Sequence, residues 1–323
     1  MNVNPAGNKS SRMGHGGPHV ALSDNEIHLW LCDYDEARDE DLFTSYRALL
    51  TDQEKREESR FYFEKDRRRY LLTRALVRTV LARYAPVAPK DWVFAANAYG
   101  RPEIVNTGLS GAPLSFNISH THSLIVLGVT KRRALGLDVE NVRARKVSID
   151  IADPFFSPTE IAALSAVPPS RQQDRYFEYW TFKESYIKAR GMGLSIPLDK
   201  FSFLYPEDGS VRIAIHPALG DYPERWQFWQ FRPAPEYLVA ICAERVGAGA
   251  PTIVARKTVP MGLEKNIVPE FTRTSEQLPR FATGGAGISR PRVLGANIGP
   301  RGIAPTLGEA EREKSRSGSL AAA

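Results

Sequence analysis

One helical stretch constrains this chain more than any other. Residues 180–194 read WTFKESYIKARGMGL, and Tyr176, Phe177, Trp180 and Ile187 recur at spacings of three to four. They give a long helix one apolar face, which needs a partner layer to bury it. Gly191 and Gly193 follow, residues that tolerate the left-handed conformation with which helices end, and Pro197 keeps the helix from resuming. Glu184 and Lys188 lie four apart and so share a face. On an isolated helix such a pair is usually a solvated ion pair that contributes about 0.3–0.5 kcal/mol. What it does here depends on the rest of the chain.

The order of elements around that helix is repeated. Residues 26–32 (EIHLWLC) alternate as a strand does, and 42–60 is a charged helical stretch in which Thr51 and Glu54 make a capping box. The apolar rows of 66–84 predict a second long helix that stops before Pro86. A strand at 92–95, a turn at 97–102 (NAYGRP) and apolar runs at 114–119, 124–130 and 134–140 follow. The last three, joined by short polar turns, are expected to form an antiparallel meander. From 157 the pattern restarts, with Ser157, Pro158 and Glu160 opening a helix before the 180–194 stretch. Strands are then expected at 201–205, 211–215, 226–231 and 237–244. This predicts an α+β chain of two similar halves, 26–132 and 133–245.

Composition explains the remainder. The segments 1–25 and 246–323 are rich in Gly, Pro, Ser and Arg or Asn, and are expected to be disordered tails. The net charge of +6 over 323 residues resides mostly in the second of these, with about 11 basic and about 6 acidic residues. A nucleic-acid-binding protein is therefore a poor reading, because the central region is nearly neutral and shows no aromatics interleaved in a basic patch. Cys32 and Cys242 lack metal-ligand spacing and suit a reducing, cytoplasmic setting. No run of about 18 apolar residues could cross a membrane, and no apolar core of a signal peptide precedes residue 26.

Chemistry concentrates in 136–140 (GLDVE). Asp138 and Glu140 are two apart on a strand, so both carboxylates share one face. Adjacent anions that are partly buried repel by about 1–4 kcal/mol unless a cation joins them. With Glu184 as a third acid they form a hard oxygen set suited to Mg²⁺ or Mn²⁺. Read alone, the strand pair is more simply an exposed edge. Phosphate-handling motifs of the P-loop and GxGxxG kinds are missing, but cations are scattered: Arg67, Arg68, Arg69, Arg101, His120, Lys183 and Lys188.

Several motifs in order resemble the 4′-phosphopantetheinyl transferases of the surfactin-synthetase-activating type: RFYFEKDRRRYLLTRALVR (60–78), YGRP (99–102), FNISHT (116–121), GLDVE (136–140), FFSPTE (155–160) and WTFKESYIKARGMGLSIPLDKFSF (180–203). The resemblance spans about residues 26–245. It implies a pseudo-dimer within one chain, a monomer whose active site lies between its two halves. It also implies transfer of the 4′-phosphopantetheinyl arm of coenzyme A to a serine of an apo acyl or peptidyl carrier protein, releasing 3′,5′-ADP. Asp138, Glu140 and Glu184 match the Mg²⁺ ligands, Glu184 also the general base, and Lys188 the lysine supporting the pyrophosphate and leaving group. Ser119 and His120 match the pair at the 3′-phosphate and adenosine end of coenzyme A. Arg101 stands where lysine is commoner, and Arg69 at a further basic position toward that ligand. A catalytically silent carrier-binding member is disfavoured, since all three acids and Lys188 are present.

Overall fold

The computed structural model describes residues 19–109, 113–147, 154–247 and 249–275. The first half runs β1 (Glu26–Asp33), α1 (Glu40–Arg47), α2 (Asp52–Ser59), α3 (Glu64–Leu81), β2 (Phe94–Ala96), β3 (Pro102–Ile104), β4 (Leu114–His120) and β5 (Leu124–Lys131). The second runs β6 (Leu135–Asn141), α4 (Pro158–Ser165), α5 (Pro169–Arg190), β7 (Phe201–Leu204), β8 (Arg212–Ile215), β9 (Trp226–Phe231) and β10 (Tyr237–Glu244). Each half is thus a strand, a group of helices ending in a long one, a small hairpin and a large hairpin. Within the sheets β1-β5-β4 and β6-β10-β9 take the same order. The α+β architecture of two similar halves is therefore present.

The duplication extends to buried chemistry. Thr51 caps α2 in a reciprocal capping box with Glu54, and Glu54 Oε2 accepts from Arg78 of α3 at 2.8 Å. Arg78 in turn donates to the carbonyls of Pro89 and Trp92, on the approach to β2. Ser157 and Glu160 make the equivalent box on α4. Glu160 pairs with Lys183 of α5 at 2.8 Å, both side chains fully buried. Lys183 donates to the carbonyls of Leu198 and Phe201, on the approach to β7. In each half a short helix's capping acid anchors the long helix to the small hairpin.

Each long helix covers its own core: Leu72, Leu76 and Val80 of α3 pack with Trp30 and Leu127, and Phe177, Phe182 and Tyr186 of α5 with Phe203 and Phe228. A third cluster lies between the two sheets, joining Ile27, Leu29 and Val126 to Leu137, Val139 and Val239. This changes the expected meander. β4 and β5 pair antiparallel, but β6 leaves them and pairs with β10. Gly128 on β5 opens the space: a Cβ there would meet the ends of Leu135 and Leu137 at 2.8 Å. Those leucines gain more by packing face to face across the sheets than by extending one sheet edge.

The boundary expected at Arg245 is also corrected. Beyond it come β11 (Thr252–Thr258), β12 (Glu264–Ile267) and β13 (Phe271–Thr274). β11 lies parallel to β1, from Glu26 opposite Thr252 to Leu31 opposite Lys257, and β13 lies antiparallel to β9. The segment therefore edges both sheets. Its sequence is too polar to suggest strands, and the order comes from pairing with edges already built. At the other end Val20 N–H donates to Arg83 O at 2.8 Å and Leu22 is buried, so packing begins before residue 26. The remaining parts of the two expected tails, 1–18 and 276–323, lie outside the described residues.

Candidate active site

α5 begins with Pro169 in its first turn and ends at Gly191, whose φ of 67° is left-handed, as the two glycines predicted. It crosses β6 at unusually close range. A Cβ on Gly136 would lie 1.9 Å from Ser185 O and 2.3 Å from Ala189 N, so only glycine allows this approach. Asp138 and Glu140 follow at two-residue steps on the same face of β6 and therefore point toward α5. The matching row on the helix is Trp180, Glu184 and Lys188, spaced by four. At one end Trp180 Nε1 donates to Glu140 Oε1 at 3.0 Å. At the other, Lys188 Nζ donates to Asp138 Oδ1 at 2.8 Å and to Ser119 Oγ at 2.9 Å. Glu184, half-buried, sits on the row between them.

Asp138 and Glu140 are 1% and 7% exposed, so the strand face is no solvent-exposed edge. Lys188 carries the positive charge next to Asp138, its side chain 27% exposed and thus reachable from solvent. The expected three-acid cluster is not assembled: among the described residues no group of three or more His, Cys, Asp or Glu side chains stands ready to hold a metal ion. Asp138 and Glu140 are turned toward Lys188 and Trp180 instead. The donor set itself remains one of hard oxygens with no thiol or imidazole among them, which suits Mg²⁺ or Mn²⁺.

Ser119 is drawn into the same point from β4, with its hydroxyl 3.1 Å from Asp138 Oδ1. His120 ends β4 next to it, half-buried. Arg69 lies near the β4–β5 turn, 3.4 Å from His122 O and 3.9 Å from Asp66, with its guanidinium over the Tyr34 ring. Arg101 reaches from the turn before β3 into the joint of α5, β4 and β6. Its two terminal nitrogens donate to four carbonyls: Lys188 O at 2.7 Å, Ala189 O at 3.3 Å, Leu135 O at 3.1 Å and Phe116 O at 3.3 Å. Burial pushes this guanidinium below its usual value. The carbonyls ending α5 form the negative pole of the helix, which is where a cation is stabilised. Arg101 thus clamps carbonyls of both halves. Asn97 reinforces it by donating to Gly191 O at 3.1 Å.

Sequence reasoning missed the partners that fix this geometry. Trp180 was visible only as an apolar helix position, and Gly136 only as the first letter of GLDVE. Lys183, counted among the scattered cations, belongs to the buried pair with Glu160. Burial lowers its pKa, against the pull of that carboxylate.

Comparison with known proteins finds one family along both halves. The profile of the 4′-phosphopantetheinyl transferase superfamily matches residues 134–242, and that of the 4′-phosphopantetheinyl transferase N-terminal region matches 37–132. They abut where β5 gives way to β6. A 4′-phosphopantetheinyl transferase of Bacillus subtilis is 38% identical over 191 residues, 59% of this chain and 80% of its own. The 4′-phosphopantetheinyl transferase HetI of Nostoc is 33% identical over 230 residues, covering 65% of this chain and 96% of its own. The 4′-phosphopantetheinyl transferase Sfp of Bacillus subtilis is 36% identical, with 59% and 80% covered.

Proposed function

Because the chain belongs to the 4′-phosphopantetheinyl transferase superfamily, we propose that it moves the 4′-phosphopantetheinyl arm of coenzyme A to a serine hydroxyl of an apo acyl or peptidyl carrier protein. A phosphodiester bond forms at the serine oxygen, the pyrophosphate bridge of coenzyme A breaks, and 3′,5′-ADP leaves. The observation that carries this reading is the meeting of Lys188, Asp138 and Ser119 at one point, joining the three motifs WTFKESYIK, GLDVE and FNISHT.

In this reading Glu184, on the solvent-reachable row of α5, accepts the serine proton. Lys188 turns its ammonium from Asp138 toward the pyrophosphate and stabilises the charge that collects on the departing 3′,5′-ADP. His120 and Arg69, at one end of β4 and beside its turn, supply cations toward the adenosine 3′-phosphate. Asp138, Glu140 and Glu184 would hold Mg²⁺, or Mn²⁺ in its place. The ion neutralises pyrophosphate charge when bound. Asp138 would then exchange the Lys188 ammonium for the metal. The chain, with both halves in one polypeptide, would act as a monomer. Among the described residues no helix is long and apolar enough to cross a membrane.

Incubation with coenzyme A, Mg²⁺ and a panel of apo carriers should raise the mass of at least one carrier by a single phosphopantetheine arm. The same mixture in EDTA should give no product. A panel left unmodified throughout would overturn the transferase reading, and full activity in EDTA would overturn the metal ligands.

A further inference from the structure

We propose that Asp221 is a positioning residue for the transfer step: with Arg225 and Glu244 it braces the end of α5 against the start of β6, and so sets Lys188 relative to the acidic strand. α5 carries two rows on opposite faces. Glu184 and Lys188 form one, and Tyr186 and Arg190, each two residues further on and so about 200° round the helix, form the other. The second row meets Asp221, in the connection between β8 and β9, whose side chain is 1% exposed. Asp221 Oδ2 accepts from Tyr186 Oη at 2.8 Å, from Arg190 Nη1 at 2.9 Å and from Trp226 Nε1 at 2.9 Å, and Oδ1 accepts from Tyr222 N–H at 3.0 Å. A carboxylate beside the last turn of a helix faces the negative pole, where an anion is disfavoured. The donors keep it there. Burial pushes the Asp221 carboxyl up, but the hydrogen bonds from Tyr186 and Trp226 and the charge of Arg190 outweigh burial and hold it below its usual value.

The brace continues to β6. Arg225 pairs with Asp221 Oδ1 at 3.6 Å and donates through Nε to Glu244 Oε1 at 2.9 Å. Glu244 Oε2 accepts from Ala134 N–H, just before β6, at 3.2 Å, and Glu244 N–H donates to Ala134 O at 2.9 Å. One chain of ion pairs and hydrogen bonds therefore runs from the last turn of α5 to the start of the strand that carries Asp138 and Glu140. Arg101 spans the same two ends from the first half, through the carbonyls of Lys188, Ala189 and Leu135. Among the described residues neither Asp221 nor Arg225 bonds to a proposed reacting group, so any effect on transfer must pass through the elements they hold. Without Asp221, Arg190 loses its carboxylate and the last turn, which ends at Gly191, is freer to fray. Lys188 lies on that turn, so its ammonium then spends less time where the pyrophosphate needs it.

The inference rests on the proposed transferase reading, and its test separates the two. In the full-length protein, Asp221→Ala should lower kcat about tenfold to thirtyfold, with KM for coenzyme A changed less than about threefold. Asp221→Asn keeps an oxygen for Tyr186 and Trp226 and should bring kcat back to within about threefold of wild type. Arg225→Met keeps the stem of a side chain that is 35% exposed and cuts the link to Glu244. It should lower kcat about threefold, and it covers an Asp221 variant that fails to fold. Action through Lys188 is read from a double-mutant cycle: in a Lys188→Ala background, followed in single turnovers, Asp221→Ala should cost less than about twofold more. An equal loss in both backgrounds, a loss lying wholly in KM, or a lowered Tm with wild-type kcat would leave Asp221 a structural residue and overturn the proposal. Wild-type kcat in Arg225→Met would overturn the brace to β6. Hydrogen exchange reads the geometry without activity. The Gly191 amide, bonded to Ile187 O and Lys188 O, should exchange at least about tenfold faster in Asp221→Ala, and unchanged exchange would also overturn the proposal. If wild type modifies no carrier, the transferase reading falls, and exchange at Gly191 still decides whether Asp221 holds the end of α5.

Discussion

Two glycines on neighbouring strands face different kinds of neighbour, and that difference decides what a single methyl group does. At Gly136 the added carbon would meet Ser185 O at 1.9 Å and Ala189 N at 2.3 Å. Both are backbone atoms of α5, which no rotamer change can move. Gly136→Ala must therefore push the helix away from β6, carrying Trp180, Glu184 and Lys188 with it. A displacement of about 1 Å can cost on the order of a hundredfold in rate, so transfer activity should fall by about that factor. Overpacking should also lower stability by about 1–3 kcal/mol. At Gly128 the contacts, at 2.8 Å, are the ends of Leu135 and Leu137, which can shift. Gly128→Ala should keep most activity, and steady-state kinetics with thermal unfolding on both variants checks the contrast. Arg101 yields a prediction of a different kind. Its guanidinium serves four carbonyls, so Arg101→Met should lower Tm while leaving KM for coenzyme A within about twofold. A tenfold rise in KM at unchanged Tm would return it to the ligand. Asp138, Glu140, Glu184 and Lys188 were legible in the sequence because strand and helix periods alone put them on shared faces. Gly136 and Arg101 were not, because their roles depend on which elements meet.

At the scale of elements the capping boxes were legible and their second task was not. Ser157 with Glu160, and Thr51 with Glu54, read directly as helix starts. Nothing local says that each glutamate also neutralises a buried cation on the next long helix, 23 or 24 residues further on. In the second half Lys183 Nζ is enclosed by Glu160, by two carbonyls and by the Phe201 ring at 4.2 Å. Removing the carboxylate alone leaves an ammonium with no route to water. Glu160→Ala should therefore cost about 3–5 kcal/mol, measured by urea denaturation. Replacing both partners by apolar side chains of similar size, Glu160→Leu with Lys183→Met, should recover most of that loss, since a buried pair contributes little net stability over a packed apolar one. If the double variant were as unstable as the single one, the carbonyl contacts of Lys183 would matter more than its charge balance. Strand partners, likewise, were beyond the sequence: β6 has the alternation of a meander strand, and only the face-to-face packing of Leu135 and Leu137 sends it to the other sheet.

Across the whole molecule, the segment 249–275 ties the halves together. β11 adds to the β1 edge, and Ser275 and Phe228 exchange hydrogen bonds where β13 adjoins β9. Between them, Arg83 and Arg256 stack on the Trp30 ring and both pair with Glu264 of β12. His28 is the buried histidine at this junction, bonded to Tyr84 Oη at 2.9 Å and adjacent to Arg256. Burial, with Arg256 adding to it and Glu26 opposing, pushes its pKa from 6.5 down to about 4. The unfolded chain accepts a proton on His28 below pH 6.5 and the folded chain refuses it until about pH 4. Stability from this group is therefore complete above pH 6.5 and falls as pH drops through that window. A chain ending at Arg245 loses β11 to β13 together, which uncovers the β1 edge, removes Arg256 and lets water reach His28. It should unfold at a Tm several degrees lower, with a weaker pH dependence between 6.5 and 4 and reduced transfer activity. His28→Asn in the full chain should flatten the same acid slope while leaving the neutral-pH activity in place, separating the histidine's share from that of the strands. Thermal unfolding across pH 4–7 for the three proteins makes the comparison. A truncated chain with unchanged Tm, acid slope and activity would show the last three strands to be dispensable, restoring the boundary that composition alone suggested.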